Sequence, residues 1–142
     1  MKKVAVVYWS GTGNTEEMAK MVLRGIEVAE AEGKIYDSPE LLPEIFEKYE
    51  RIALGCPSMG EEGLEESEFE PSFSSVESML VGKKIALFGS YGWGNGLWME
   101  KWKNRCEKLG AICVSDPVIC CDLPDSNVKE MCIELGRSIA EK

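Results

Sequence analysis

The chemically richest stretch of the chain is Ser10-Gly11-Thr12-Gly13-Asn14-Thr15, which follows the apolar run VAVVYW (Val4 to Trp9) without a break. It carries three hydroxyls, an amide and two glycines, but no Lys, Arg or His. A Gly-rich turn between a first strand and a first helix usually meets phosphate. The helix N-terminus presents unpaired N–H groups and a partial positive charge there. A Walker loop is excluded, because GxxxxGK[ST] requires a lysine that the stretch lacks. The dinucleotide pattern GxGxxG begins at Gly11 and Gly13 but fails at its sixth position, where Glu16 stands instead of glycine. What remains is a nest of main-chain N–H groups from Gly11 to Thr15, with the Ser10, Thr12 and Thr15 hydroxyls and the Asn14 amide beside it. Such a neutral nest suits a terminal phosphomonoester. A plain turn with hydroxyl caps accounts for one Ser or Thr, not for this density.

Two further loops and one short corner belong to the same edge. In a doubly wound sheet, ligands bind outside the carboxyl ends of the strands. After RIALGC comes PSMGEEGLEE (Pro57 to Glu66), after KIALFG comes SYGWGNG (Ser90 to Gly96), and after VIC comes Cys121-Asp122. A tryptophan among glycines sits in an exposed loop, so Trp93 offers a flat stacking surface. Trp98 and Trp102, four apart on a helical pattern, read instead as packing residues.

These loops need strands and helices to hold them. The runs Val4 to Trp9, Arg51 to Cys56, Lys84 to Ser90, and ICV with VICC (Ile112 to Cys121) are continuous rather than alternating. That is the pattern of a parallel sheet covered on both faces. Helical spacing appears over residues 14–30, 97–109 and 126–141. A short edge strand is expected near Lys34 to Asp37, a two-turn helix after Pro43, and another helix over PSFSSVESML with Pro71 near its start. The βαβα alternation implies one α/β domain over residues 1–142.

Composition narrows the function. Twenty-five acidic residues against 16 basic give a net charge of −9, which argues against a nucleic-acid partner and favours one with a basic docking surface. No histidine is present, so Ser-His-Asp, Cys-His and His-ligated metal chemistry are excluded. The six cysteines form no CxxC pair, and most lie in apolar runs. With no signal peptide and no span of 18 apolar residues, a cytoplasmic protein with no membrane partner is expected.

Together YWSGTGNT, GCPSMGEEGLEESEFEP and GKKIALFGSYGWGNG resemble a short-chain flavodoxin of the clostridial type, and the resemblance covers nearly the whole chain. Flavodoxin is itself a standing example of the strand-end rule, with its flavin at the switch point. The resemblance implies a flavodoxin-like doubly wound five-stranded parallel sheet ordered 2-1-3-4-5 and one noncovalent FMN. It assigns Ser10, Gly11, Thr12, Gly13, Asn14 and Thr15 to the phosphate. Met59 would cover the inner face of the ring and Trp93 the outer. Main chain of Gly60, Glu61 and Glu62, and of Tyr91, Gly92, Trp93 and Gly94, would meet the ring edge. Glu62 would accept from flavin N3–H, with Ser90, Cys121 and Asp122 closing the site. The resemblance also implies that the 59–60 peptide turns over to present a carbonyl to flavin N5–H, which glycine at 60 permits. The chain departs from the family at Pro57, where a serine often meets phosphate; Ser58 would have to replace it. Asn95 stands where relatives often have an acid, and Cys121 and Asp122 replace larger amide residues.

The function implied is a low-potential one-electron carrier, a monomer that shuttles between redox proteins in place of ferredoxin and is not an enzyme. A cation in the phosphate loop would favour the reduced, anionic flavin. Its absence, with the acidic run Glu61 to Glu70 close by, keeps the second reduction low in potential. Equally, that run reads as an ordinary solvated face. The alternative is a small FMN-dependent NAD(P)H:quinone or flavin reductase, which would turn over NAD(P)H unaided. A receiver-like signalling domain of the same topology needs acids after strand 1 and a lysine after strand 5. Trp9-Ser10 and Cys120-Cys121 supply neither.

Overall fold

The computed structural model describes residues 2–142. Six parallel strands alternate with five helices. They are β1 (Lys3–Tyr8), α1 (Asn14–Val28), β2 (Glu32–Tyr36), α2 (Leu42–Lys48), β3 (Arg51–Gly55), α3 (Phe69–Ser75), β4 (Lys84–Tyr91), α4 (Leu97–Lys108), β5 (Ile112–Cys113), β6 (Val118–Cys121) and α5 (Ser126–Glu141). The sheet runs β2-β1-β3-β4-β5, with β6 also on β4. The fifth position, expected as one strand region, is thus shared. Ile112 and Cys113 pair with Lys84 and Ile85, and Val118 to Cys121 pair with Phe88 to Tyr91. Pro117 lies in the gap and has no N–H to offer the ladder.

The continuous apolar runs resolve into two faces, because successive strand side chains point opposite ways. Ala5, Val7, Ile52, Leu54, Ile85 and Leu87 pack under α2, α3 and α4. Val4, Val6, Ala53, Ala86 and Phe88 pack under α1 and α5. Trp98 and Trp102 are fully buried in the first layer, as their spacing predicts. Trp102 meets Phe69 and Phe73 edge-on, at ring centroid separations of 5.4 and 5.9 Å.

The expected helix over residues 71–80 is divided. It begins earlier, at Phe69, ends at Ser75, and is followed by a single 3₁₀ turn over Glu77–Met79. The early start has a cause in Glu65, described below. Helices α1 and α5 approach backbone to backbone. A Cβ on Gly25 would lie 1.9 Å from the Ile133 carbonyl oxygen, and one on Gly136 would lie 2.0 Å from that of Val22. This contact brings the C-terminal half of α1 against α5.

Helix propensity alone would make Gly136→Ala stabilising by about 1 kcal/mol. The contact reverses the sign, and we expect a loss of about 1–3 kcal/mol from overpacking. The midpoint of urea unfolding checks it, and an unchanged or raised midpoint would contradict the close approach.

Candidate functional site

The carboxyl ends of β1, β3, β4 and β6 open onto a cleft of about 200 Å³. Ser10, Gly11, Thr12, Asn14 and Thr15 line it from the first loop, with Pro57, Ser58 and Met59 from the second. Ser90, Tyr91 and Gly92 line it from the third, with Asp122 at the corner after β6. Thus three separate loops and a corner converge. Gly13, Gly60, Glu61, Glu62, Trp93, Gly94 and Cys121 do not line the cleft. They belong to the turns and corner around its mouth.

The first loop is organised from within. Ser10 lines the cleft and also holds its own loop. Its Oγ accepts the N–H groups of Gly13 (3.0 Å) and Glu16 (3.3 Å), which leaves its own O–H as a donor. The reason for these bonds is that Gly13, the residue before α1, has no side chain to cap the helix and lies at φ 100°. Thr15 turns inward. Its Oγ1 is 2.9 Å from Ser90 Oγ and accepts the Ser90 N–H at 3.3 Å. Thr15 is 1% exposed, so this buried pair ties the first loop to the third. The N–H groups of Gly11, Thr12, Asn14 and Thr15 have no acceptor among the described residues. Four unpaired donors therefore face one end of a cleft whose only charged lining side chain is Asp122.

A second hollow lies across the same loop, between Tyr8, Glu16, Asp37 and Glu68. Its carboxylates repel anions, so the donor nest has only one useful side. Tyr8 donates to Glu16 at 2.7 Å. Burial, aided by that carboxylate, pushes its phenol well above the ordinary tyrosine range.

The second loop is a closed turn. Met59 and Gly63 exchange N–H···O bonds of 2.8 and 3.0 Å, with Gly60 at φ 57° and Glu62 at φ 52°. Ser58 N–H donates to Ser90 O at 2.9 Å, carrying the β3–β4 ladder past the strand ends. Under the turn, Cys56 is buried, and burial pushes its thiol far up, so it acts as packing. Cys106 and Cys132 are likewise pushed up to about 12 by burial. All six cysteines are free, and Cys121 alone is exposed. Its Sγ lies 3.8 Å from Asp122 Oδ2. Asp122 itself sits at φ 60°, with its N–H on Tyr91 O at 2.8 Å.

The acidic run Glu61 to Glu70 is not one solvated face. Glu65 is 5% exposed. Its carboxylate accepts the N–H groups of Ser67 and Glu68 (2.8 Å each) and Phe69 (2.9 Å), and the Ser67 hydroxyl. That cap starts α3 two residues before Pro71. Glu70 pairs with Arg105 at 2.8 Å. Glu65 gives no signal in the sequence, because it is one glutamate among six. Trp9 gives none either, since it reads as the end of a strand. Trp9 leaves the ladder and lines both hollows, its ring 3.1 Å from where a Gly11 Cβ would be.

The chain was compared with known proteins. A family model described as Flavodoxin matches residues 6–136. The chain is 44% identical over 136 residues to a flavodoxin of Clostridium beijerinckii, covering 95% of this chain and 97% of that one. It is 43% identical over 138 residues to a flavodoxin of Megasphaera elsdenii, covering 97% and 98%. The solution structure of two-electron reduced Megasphaera elsdenii flavodoxin superposes with a TM-score of 0.85 at 40% identity, over 98% of this chain and 99% of that one.

Burial works to raise the Glu65 pKa, but the four hydrogen bonds outweigh it and hold the carboxyl below its ordinary value. Stability from a lowered carboxyl is present above the unfolded value, about 4.3, and is lost as pH falls through the folded one. Glu65→Gln should therefore cost about 1–3 kcal/mol at pH 7. The difference from wild type should shrink near pH 3. Urea midpoints at both pH values test this, and an equal difference at both would contradict it.

Proposed function

The chain belongs to the flavodoxin family, and on that premise we propose a low-potential one-electron carrier that passes electrons between redox proteins, including those that also use ferredoxin. FMN is its cofactor, and the chain is an electron-transfer protein rather than an enzyme. Bound FMN supplies the reversible electron transfer that the side chains here cannot. The reading assigns residues 1–142 to a single flavodoxin-like domain that acts as a monomer.

The observation that carries the reading is the neutral nest. The unpaired N–H groups of Gly11, Thr12, Asn14 and Thr15 fit a phosphomonoester without a counter-cation. Ser58 adds a hydroxyl beside Pro57, which has no N–H to give. Ser10 keeps its O–H as a donor for the phosphate, while Thr15 and Ser90 share a hydroxyl bond that fixes the loops and so position donors. Two exposed apolar side chains stand on the flanking loops, Met59 at 41% and Trp93 at 61%. They are the residues to exclude water from the two faces of the ring. Main chain from Gly60 to Glu62 and from Tyr91 to Gly94 is there for the ring edge, with Glu62 for N3–H and with Cys121 and Asp122 at the far rim.

Low potential follows from charge. The cleft offers no cation, Asp122 lies in its wall, and Glu61 and Glu62 stand at its mouth. Added electron density is therefore poorly compensated. With a net charge of −9 and an apolar rim of Met59, Trp93 and Leu97, the docking partner needs a basic face around an apolar centre. No helix among the described residues is long and apolar enough to cross a membrane. The six free thiols suit a reducing compartment, the cytoplasm.

The purified protein should be yellow and should release FMN on denaturation. Thr15→Val deletes the hydroxyl that accepts the Ser90 N–H, and should weaken FMN binding by about 1–3 kcal/mol. Riboflavin, which lacks the phosphate, should bind weakly and about equally to both forms. Fluorescence-quenching titrations check this; equal losses for FMN and riboflavin would sink the phosphate assignment.

A further inference from the structure

Helix α4 begins without a cap of its own. The preceding residue is Gly96, at φ 92°, and it has no side chain to accept the first N–H groups. The missing acceptor comes from another loop. The Leu97 N–H donates to Glu62 Oε1 at 3.1 Å, across 35 residues of sequence. A carboxylate at a helix N-terminus also meets the positive end of the helix dipole.

Two further features converge on this contact. Glu62 holds a left-handed backbone, φ 52°, which costs energy for a residue with a side chain. That conformation lets its carboxylate reach across the mouth of the cleft. Gly94 makes room for it, because a Cβ there would lie 2.6 Å from Glu62 Oε1. The strained backbone, the missing side chain and the uncapped helix all serve one bond.

We propose that Glu62 has a positioning role beside its assigned contact with the ligand edge. Its carboxylate fastens the Met59–Gly63 turn to the N-terminus of α4 and so sets the gap between the two loops that flank the cofactor cleft. At the cleft's base the same loops are joined by Ser58 N–H on Ser90 O. The Glu62 clip is the matching tie at the rim. Oε1 serves Leu97, which leaves Oε2 for a donor on the ligand edge. One carboxylate thus joins ligand, turn and helix. The Trp93 side chain, on the loop between Gly92 and Leu97, is held at its distance from Met59 by this clip. The inference rests on the flavodoxin reading for the ligand's identity.

The test is amide hydrogen exchange at Leu97 in the full chain, with FMN and after its removal, in wild type, Glu62→Gln, Glu62→Asp and Glu62→Ala. Without flavin, Glu62→Ala should exchange at Leu97 roughly tenfold faster. Glu62→Gln keeps an oxygen acceptor at the same reach and should stay within about threefold of wild type. Glu62→Asp keeps the charge but shortens the arm, and should resemble Glu62→Ala. It replaces that variant if Glu62→Ala does not fold. FMN dissociation should quicken in the same order. An unchanged Leu97 rate in Glu62→Ala and Glu62→Asp overturns the clip. A raised Leu97 rate with unchanged FMN dissociation overturns the positioning role. If the wild type takes up no FMN, the flavodoxin reading fails, while the flavin-free Leu97 rates still decide the clip.

Discussion

The whole arrangement depends on four main-chain N–H groups at the start of α1 that have no partner among the described residues. Open N–H groups at a helix start carry a partial positive charge, and a cleft that offers four of them suits an anionic acceptor. The surrounding side chains decide which acceptor. With no cation in the lining, the nest must hold an anion by amide geometry and helix dipole alone. With carboxylates filling the hollow on the other side of the loop, the anion can approach from one side only.

That geometry is inherited from the sheet. The loop leaves β1 at Tyr8, and Trp9 N–H on Gly55 O (3.0 Å) holds its first residue to β3. The loop re-enters order at α1, which lies against α5 at a distance that only glycine at 25 and 136 allows. Cross-ties then lock the loops to one another. Thr15 is bonded to Ser90, Ser58 to Ser90, and Glu62 to Leu97. Polar side chains that could have faced a ligand are used to hold the loops instead. The result is a site preorganised by its own hydrogen bonds, which suits a carrier that must keep its cofactor through repeated electron exchange.

Much of this was legible in the sequence. Continuous apolar runs between helical patterns marked a parallel sheet covered on both faces, and the resemblance to flavodoxins implied its order. The three loops at strand ends could be placed because each follows a buried strand directly. What escaped reading shares one physical cause: it depends on where a side chain turns after the fold is made. Ser10 reads as a ligand donor, but nothing in the sequence says that its Oγ also accepts two loop N–H groups where Gly13 leaves α1 uncapped. Glu65 is one glutamate in a run of six, yet it alone is buried over three N–H groups. Trp9 continues an apolar run but departs from the ladder. The division of the fifth sheet position between β5 and β6 was marked by Pro117, a residue that cannot pair there.

The account's central claim is that the amides of Gly11, Thr12, Asn14 and Thr15 grip the phosphate of FMN directly. Amide proton and nitrogen chemical shifts of the flavin-free protein, followed on titration with FMN and separately with riboflavin, test it most directly. The account predicts that these four amides move strongly downfield together with FMN and not with riboflavin. Equal movement with both ligands, or no movement at these four positions while FMN binds, would contradict it.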